Sequence, residues 1–234
     1  MTRVNEFGQP IGDPVEDWTP REGPEPVTLV GRYAQLEPLH RDHAQSFLPS
    51  VAPHPELWTY LRIEPPRDPD EAYAVVDRIL AGADVPFILI RRDTGEPRGM
   101  LTLMRIDRVN GVIEVGNILY APDLQRTRVT TEAFHLLAAH VFEDLGYRRF
   151  EWKCDSLNGP SRRAAQRLGF TEEGTFRSHV VYKGRNRDTT WFAMTIDEWP
   201  RIREAHRRWL AESNFEADGR QVQKMSDVFA SLDA

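Results

Sequence analysis

The stretch GVIEVGNILYAPDLQRTRVTTEAFHLL, Gly111 to Leu137, decides the fold. Its first half is an apolar run stopped by Pro122, the pattern of a buried strand. Its second half changes period. Phe134 and Leu137, continued by Ala138, Val141, Phe142 and Leu145, lie on one face of a helix over residues 130–145 that Gly146 closes. A strand feeding directly into a helix exposes the first helical turn, which carries about four backbone N–H groups with no partner inside the helix. Such a turn suits an anion, a pyrophosphate above all. This one has no glycine and holds Arg126, Thr127, Arg128, Thr130 and Thr131 instead. On one reading the amides still point inward, the arginines reach phosphates as charge-assisted donors, and the threonine hydroxyls add contacts. On the other, the loop is an ordinary charged surface turn.

Upstream, VTLVGRYAQLEPL alternates as a strand that turns at Gly31 and ends at Pro38. A short helix over residues 40–48, a loop or helical turn in PHPELWTYLRI, and a helix in DPDEAYAVVDRILAG with an acidic first turn come next. PFILIRR and PRGMLTLMRID, separated by DTGEP, form a hairpin. Downstream, RRFEWKCD is a strand, GPSRRAAQRLG a short helix, GTFRSHVVYKG and DTTWFAMTI two strands, and DEWPRIREAHRRWLAES a last helix before a polar tail. This order predicts an α/β (α+β) domain: a mixed, mostly antiparallel central sheet flanked by helices, with one βαβ-like crossover unit. Neighbouring strands can part in such a sheet, and ligands favour that crevice. Three parts are expected: an extended arm over 1–26, pinned by Trp18, a domain over 27–199, and a C-terminal helix and tail over 200–234.

Composition excludes several classes. Of 234 residues 40% are hydrophobic and 28% charged, the balance of a soluble globular chain. A net charge of -6 argues against a nucleic-acid partner. No apolar run approaches the roughly 20 residues that span a bilayer, and the start MTRVNEFGQPIG has no secretory pattern, so no membrane is expected and the cytoplasm is. The single cysteine, Cys154, allows no intrachain disulfide and suits a small buried hydrophobe. The pairs His40–His43 and His135–His140 lack the further ligands a metal site needs, so no metal is expected. Trp152, Trp191, Trp199 and Trp209 suit packing.

In order and spacing, EVGNILYAPDLQ, TEAFHLLAAHVFEDLGYRRFEWKC, the Asn158–Ser161 run NGPS, LGF at Leu168–Phe170, and EEGTFR resemble the GCN5-related N-acetyltransferases, especially the branch acting on amino groups of ribosomal proteins. The resemblance covers roughly Val27 to Trp199, and GQPIG, RTRVTTEA and GRNRDTTWF suggest a distinct bacterial subgroup. It implies acetyl-CoA as acyl donor and a primary amine, of a protein N-terminus or a small molecule, as acceptor. The family's loop often reads Q-G-x-G-x-A-T-E-A. Gln125, Thr131, Glu132 and Ala133 agree with it, while Arg126, Arg128 and Thr130 stand where two glycines and an alanine would be. Cofactor contacts are thereby implied for Gln125, Arg126, Thr127, Arg128, Val129, Thr130 and Thr131, for Ile118, Leu119 and Tyr120 on the preceding strand, and for Asn158 with the pantetheine arm. Arg162 and Arg163, with Arg167, suit either the ribose phosphate or a solvated helix face.

The resemblance also places a proton acceptor at Glu114, in an apolar run where burial can bring a carboxylate toward neutrality; the competing reading is a strand residue paired with a basic neighbour. Strand alternation puts Glu114, Gly116 and Ile118 on one face and Val115, Asn117 and Leu119 on the other. The family's usual tyrosine acid is replaced by Ala165, and Ser161 matches the serine that serves the leaving sulfur in the ribosomal branch. Ser161 and Asn158 also read as helix-start and turn residues. The opposing class is a non-catalytic acyl-CoA binder. The arm and tail are candidates for an acceptor-groove cover or a homodimer contact.

Overall fold

The computed structural model describes residues 3–233. Ten strands and six α-helices follow in order: β1 Arg3–Val4, β2 Pro10–Ile11, β3 Leu29–Val30, β4 Ala34–Pro38, α1 His43–Ser46, α2 Pro69–Leu80, β5 Val85–Arg91, β6 Pro97–Asp107, β7 Val112–Tyr120, α3 Arg128–Ala139, β8 Arg149–Asp155, α4 Gly159–Arg167, β9 Thr171–Tyr182, β10 Arg185–Thr195, α5 Trp199–Leu210 and α6 Met225–Leu232. Strands β3 to β10 form one sheet of order β3-β4-β5-β6-β7-β8-β10-β9. All its neighbours are antiparallel except β7 and β8, which α3 joins in parallel. The mixed sheet with a single crossover is therefore as expected.

Helices cover both faces. On one, Phe134, Leu137, Ala138 and Val141 of α3 and the turn after it pack on Ile113, Val115, Phe150 and Trp152, with Trp199 and Ile202 of α5 completing the layer. On the other, Ala72 and Val76 of α2 join Ile88, Met100 and Leu119. Helix α2 starts as its acidic first turn predicts: Asp68 caps it by accepting from the Glu71 N–H at 2.8 Å. Helix α3 ends in a π-helical turn, His140–Asp144, before Gly146 takes a φ of 65°.

Glu132 ties α3 to the far edge of the sheet. Its carboxylate accepts the backbone N–H groups of Arg32 (3.0 Å), Tyr33 (2.5 Å) and Ala34 (2.7 Å) at the turn into β4. Gly31 is needed there, because a Cβ would stand 2.5 Å from the Glu132 carboxylate.

Two expectations change. The tail is not simply polar: Met225 and Val228 of α6 pack on Ala205 and Trp209. The arm does carry a small β1–β2 hairpin, though beyond it the chain is extended. Trp18 pins it as expected, donating its indole N–H to the Val109 carbonyl (2.9 Å) and covering Gly111.

Candidate functional site

Strands β7 and β8 pair only from Val112↔Arg149 to Val115↔Trp152. Beyond Val115, β7 stays on β6 while β8 goes on with β10, so the sheet forks and the β8-facing edge of Gly116–Tyr120 has no strand partner. At the fork, β7 contains one extra residue: Met100 pairs with Leu119 but Thr102 with Gly116. The bulge is built at Asn117, exposed and at a φ of 50°. This corrects the simple alternation. Ile113 and Val115 face α3, and past the bulge so do Ile118 and Tyr120, whereas Leu119 joins the α1–α2 layer, the side on which Glu114 lies. The extra residue shifts the pleat by one, so Ile118 does not share the Glu114 face.

The turn from β7 to α3 lies at the mouth of the fork. Arg126 takes a φ of 62°, a backbone conformation that glycine adopts freely and other residues at a cost of about 1–2 kcal/mol. The loop thus keeps a glycine-like path with an arginine in it. Thr127 is the N-cap of α3 and makes no side-chain cap, so the amides of Arg128, Val129 and Thr130 keep their free donors.

The side chains of this loop do less than expected. Thr127 donates its hydroxyl to the Leu124 carbonyl (2.7 Å) and Thr130 to the Thr127 carbonyl (2.9 Å). Thr131 is buried and accepts from Arg167 (3.1 Å). The Arg128 guanidinium lies over the Tyr33 ring (4.2 Å) and near Phe215 (5.4 Å), away from the role expected of it. Arg126 is exposed and makes no ion pair among the described residues, while Gln125 is exposed with a long 3.5 Å contact to the Tyr120 carbonyl. Val129 is buried in the core.

Across the fork, Asn158 caps α4 by accepting the Ser161 N–H (3.1 Å). Ser161 sits in the first turn of α4, and its hydroxyl accepts the Trp152 indole N–H (3.0 Å), leaving its own hydrogen to donate. The Cys154 thiol is buried beside it, and burial pushes its pKa up, so it stays a neutral thiol. Arg163 is exposed, and Arg162 pairs with Glu172 (3.1 Å).

Glu114 is buried and engaged by two cations. Nη1 of Arg105 lies 2.7 and 2.6 Å from its two oxygens, and Lys153 Nζ 2.8 Å from Oε2. Lys153 also reaches Glu151 (2.8 Å), the register neighbour of Glu114 on β8, and lies 3.7 Å over the Trp191 ring. A cation between two adjacent carboxylates removes the repulsion that side-by-side glutamates would bring. Arg149 continues the ladder to Glu151 (2.7 Å) and Glu173 (2.5 Å), and holds the Glu173 carboxyl below the usual range. Lys153 and Arg105 were not singled out by sequence. The alternation of Glu151 and Lys153 in EWKC signals a shared face for the first, but MRID carries no sign that Arg105 is turned back by a second bulge, at a φ of 48°.

Residues 34–171 match the family model described as "Acetyltransferase (GNAT) domain". A GCN5-related N-acetyltransferase structure from Brucella melitensis is 41% identical, superposes with a TM-score of 0.90, and is matched over 92% of this chain and 100% of its own. An N-acetyltransferase, p20, of Bacillus licheniformis is 30% identical over 153 residues, 62% of this chain and 83% of its own length. The structure of Mycobacterium smegmatis RimJ in complex with CoA-disulfide shares the fold at a TM-score of 0.65 and 21% identity, over 75% of this chain and 90% of that one.

Proposed function

The chain belongs to the GNAT acetyltransferase family, and on that premise we propose that it moves the acetyl group of acetyl-CoA to the primary amine of a protein N-terminus or a small molecule, in the manner of the RimJ-like branch. The observation that carries this reading is the free first turn of α3, Arg128 to Thr130, held open by the left-handed Arg126 at the mouth of the β7–β8 fork. Those amides receive the pyrophosphate, with the exposed Arg126 as the one loop side chain placed to add charge. The pantetheine arm runs into the fork along Ile118, Leu119 and Tyr120, where a β7 backbone N–H polarises the thioester carbonyl. The Asn158 side-chain amide, whose oxygen is spent on α4, offers its NH2 to the arm from the other side, and Arg163 meets the ribose phosphate. Glu114 takes the proton of the acceptor amine, and Ser161 donates to the sulfur as the thiolate leaves.

A second reading, an acyl-CoA binder without turnover, draws support from one observation: both oxygens of Glu114 are occupied by Arg105 and Lys153. Two measurements separate the readings. Isothermal titration with acetyl-CoA tests the loop; no heat at high micromolar protein rejects both. Mass spectrometry of a cell extract and an amine panel incubated with protein and acetyl-CoA tests transfer, and binding with no acetylated amine leaves only the second.

A further inference from the structure

The charge ladder that runs from β6 to β9 is an open row of three cations, Arg105, Lys153 and Arg149, alternating with three carboxylates, Glu114, Glu151 and Glu173. Its members differ in freedom. The side chains of Glu114 and Lys153 are 4% and 6% exposed, and Lys153 is fixed by two carboxylates and the Trp191 face. Arg105 is 45% exposed and touches the ladder only through Nη1, from a bulge outside the regular pairing. Without Arg105 the remaining groups sum to one negative charge at a buried oxygen pair beside the fork. That place takes one cation.

We propose that Arg105 is a displaceable occupant of the acceptor-amine subsite: its guanidinium holds the position on Glu114 that the ammonium of the acceptor takes over, and so sets specificity for acceptors that arrive as cations. This inference rests on the transferase reading above. A primary alkylammonium replaces the charge of Arg105 one for one, and the arginine side chain swings to solvent without a backbone change. A neutral arylamine or an amide brings no charge and leaves the guanidinium in place. In the transfer itself, one ammonium proton passes to Glu114 and on to solvent, the nitrogen lone pair attacks the thioester carbonyl carbon, and the C–S bond breaks. The second proton passes from the tetrahedral nitrogen to the departing sulfur, so ammonium and acetyl-CoA become amide, free thiol and one released proton. Arg105 acts through Glu114, as a positioning residue.

The test uses n-butylammonium chloride as probe, titrated calorimetrically into the full chain, wild type against Arg105→Met and Arg105→Gln. Both variants are expected to bind the probe about fivefold more tightly than wild type, the upper end for one partly exposed ion pair, and Arg105→Met with Glu114→Gln to lose that gain. With an amine identified as acceptor, Arg105→Met is expected to lower its KM with kcat changed less than twofold, a split that general damage to the site does not produce. Equal or weaker probe binding in both folded variants overturns the proposal, as does a gain that survives Glu114→Gln. A wild-type chain that acetylates no amine but shows the expected difference in probe binding against its variants defeats the transferase reading alone.

Discussion

Replacing Glu132 with alanine should cost about 3 kcal/mol of stability without touching the fork. The carboxylate accepts three backbone donors, and their surroundings differ. Arg32 is exposed and Tyr33 half-buried, so water can replace the lost acceptor at roughly 0.5–1 kcal/mol each. Ala34 is fully buried, and its stranded N–H costs about 1–3 kcal/mol. For a chain of this size the sum corresponds to a fall of about 10 °C in Tm. Gly31→Ala attacks the same contact from the other side, since its Cβ would sit 2.5 Å from the carboxylate and push it off the turn. The two changes should therefore not add: Gly31→Ala costs about 2 kcal/mol in the wild-type background and less than about 0.5 kcal/mol once Glu132 is alanine. Urea unfolding of the four proteins, with midpoints compared at constant m, reads the cycle directly. Additive costs, or a Glu132→Ala loss under about 0.5 kcal/mol, would refute the claim that this carboxylate staples α3 to β4.

The loop reading predicts that Arg126→Pro, which locks φ near -65° where the chain needs a φ of 62°, weakens acetyl-CoA binding more than tenfold by calorimetry, while Arg126→Gly stays within about threefold. Arg128→Ala should change that affinity less than about twofold, because its guanidinium is spent on Tyr33 and Phe215. Ser161→Ala should lower kcat about tenfold in an acetylation assay and leave acetyl-CoA affinity near wild type. His206 is buried and its pKa is pushed down to about 3, with His135 also lowered by burial. The unfolded chain takes up protons below about pH 6.5 that the folded chain refuses, so stability is full above that pH and lost as pH falls. By pH 5 the loss from His206 is about 2 kcal/mol; His206→Gln should remove that share of the slope in urea midpoints measured from pH 7 to 5, and an unchanged slope counts against it.

Much of the frame was written in local pattern. Period two and period 3.6 located the strands and helices around Gly111–Leu137, and Pro122, Gly146 and Asp68 marked their ends because each acts through its own backbone geometry. The helix at Met225–Leu232 was legible too: Met225, Val228, Phe229 and Leu232 have the spacing of one apolar stripe, overshadowed by the polar residues around it. What local pattern could not supply was pairing at a distance. Nothing near Glu114 in sequence announces Lys153, which reaches it only because β8 lies parallel to β7, and nothing near Arg128 announces Phe215. The candidate site was thus legible as a loop and a strand, and illegible as an electrostatic arrangement.

The single surplus residue in β7 acts as a frame shift. On its near side the strand hands Val115 to the layer beneath α3; on its far side the same layer receives even-numbered positions, Ile118 and Tyr120. One continuous ribbon therefore serves two opposed layers with reversed parity, and deleting Asn117 would restore regular pairing with β6 while leaving Ile118 and Tyr120 under α3 and Leu119 toward α2. A strand designer would call this irregularity a flaw, yet it sits at the point where β7 parts from β8.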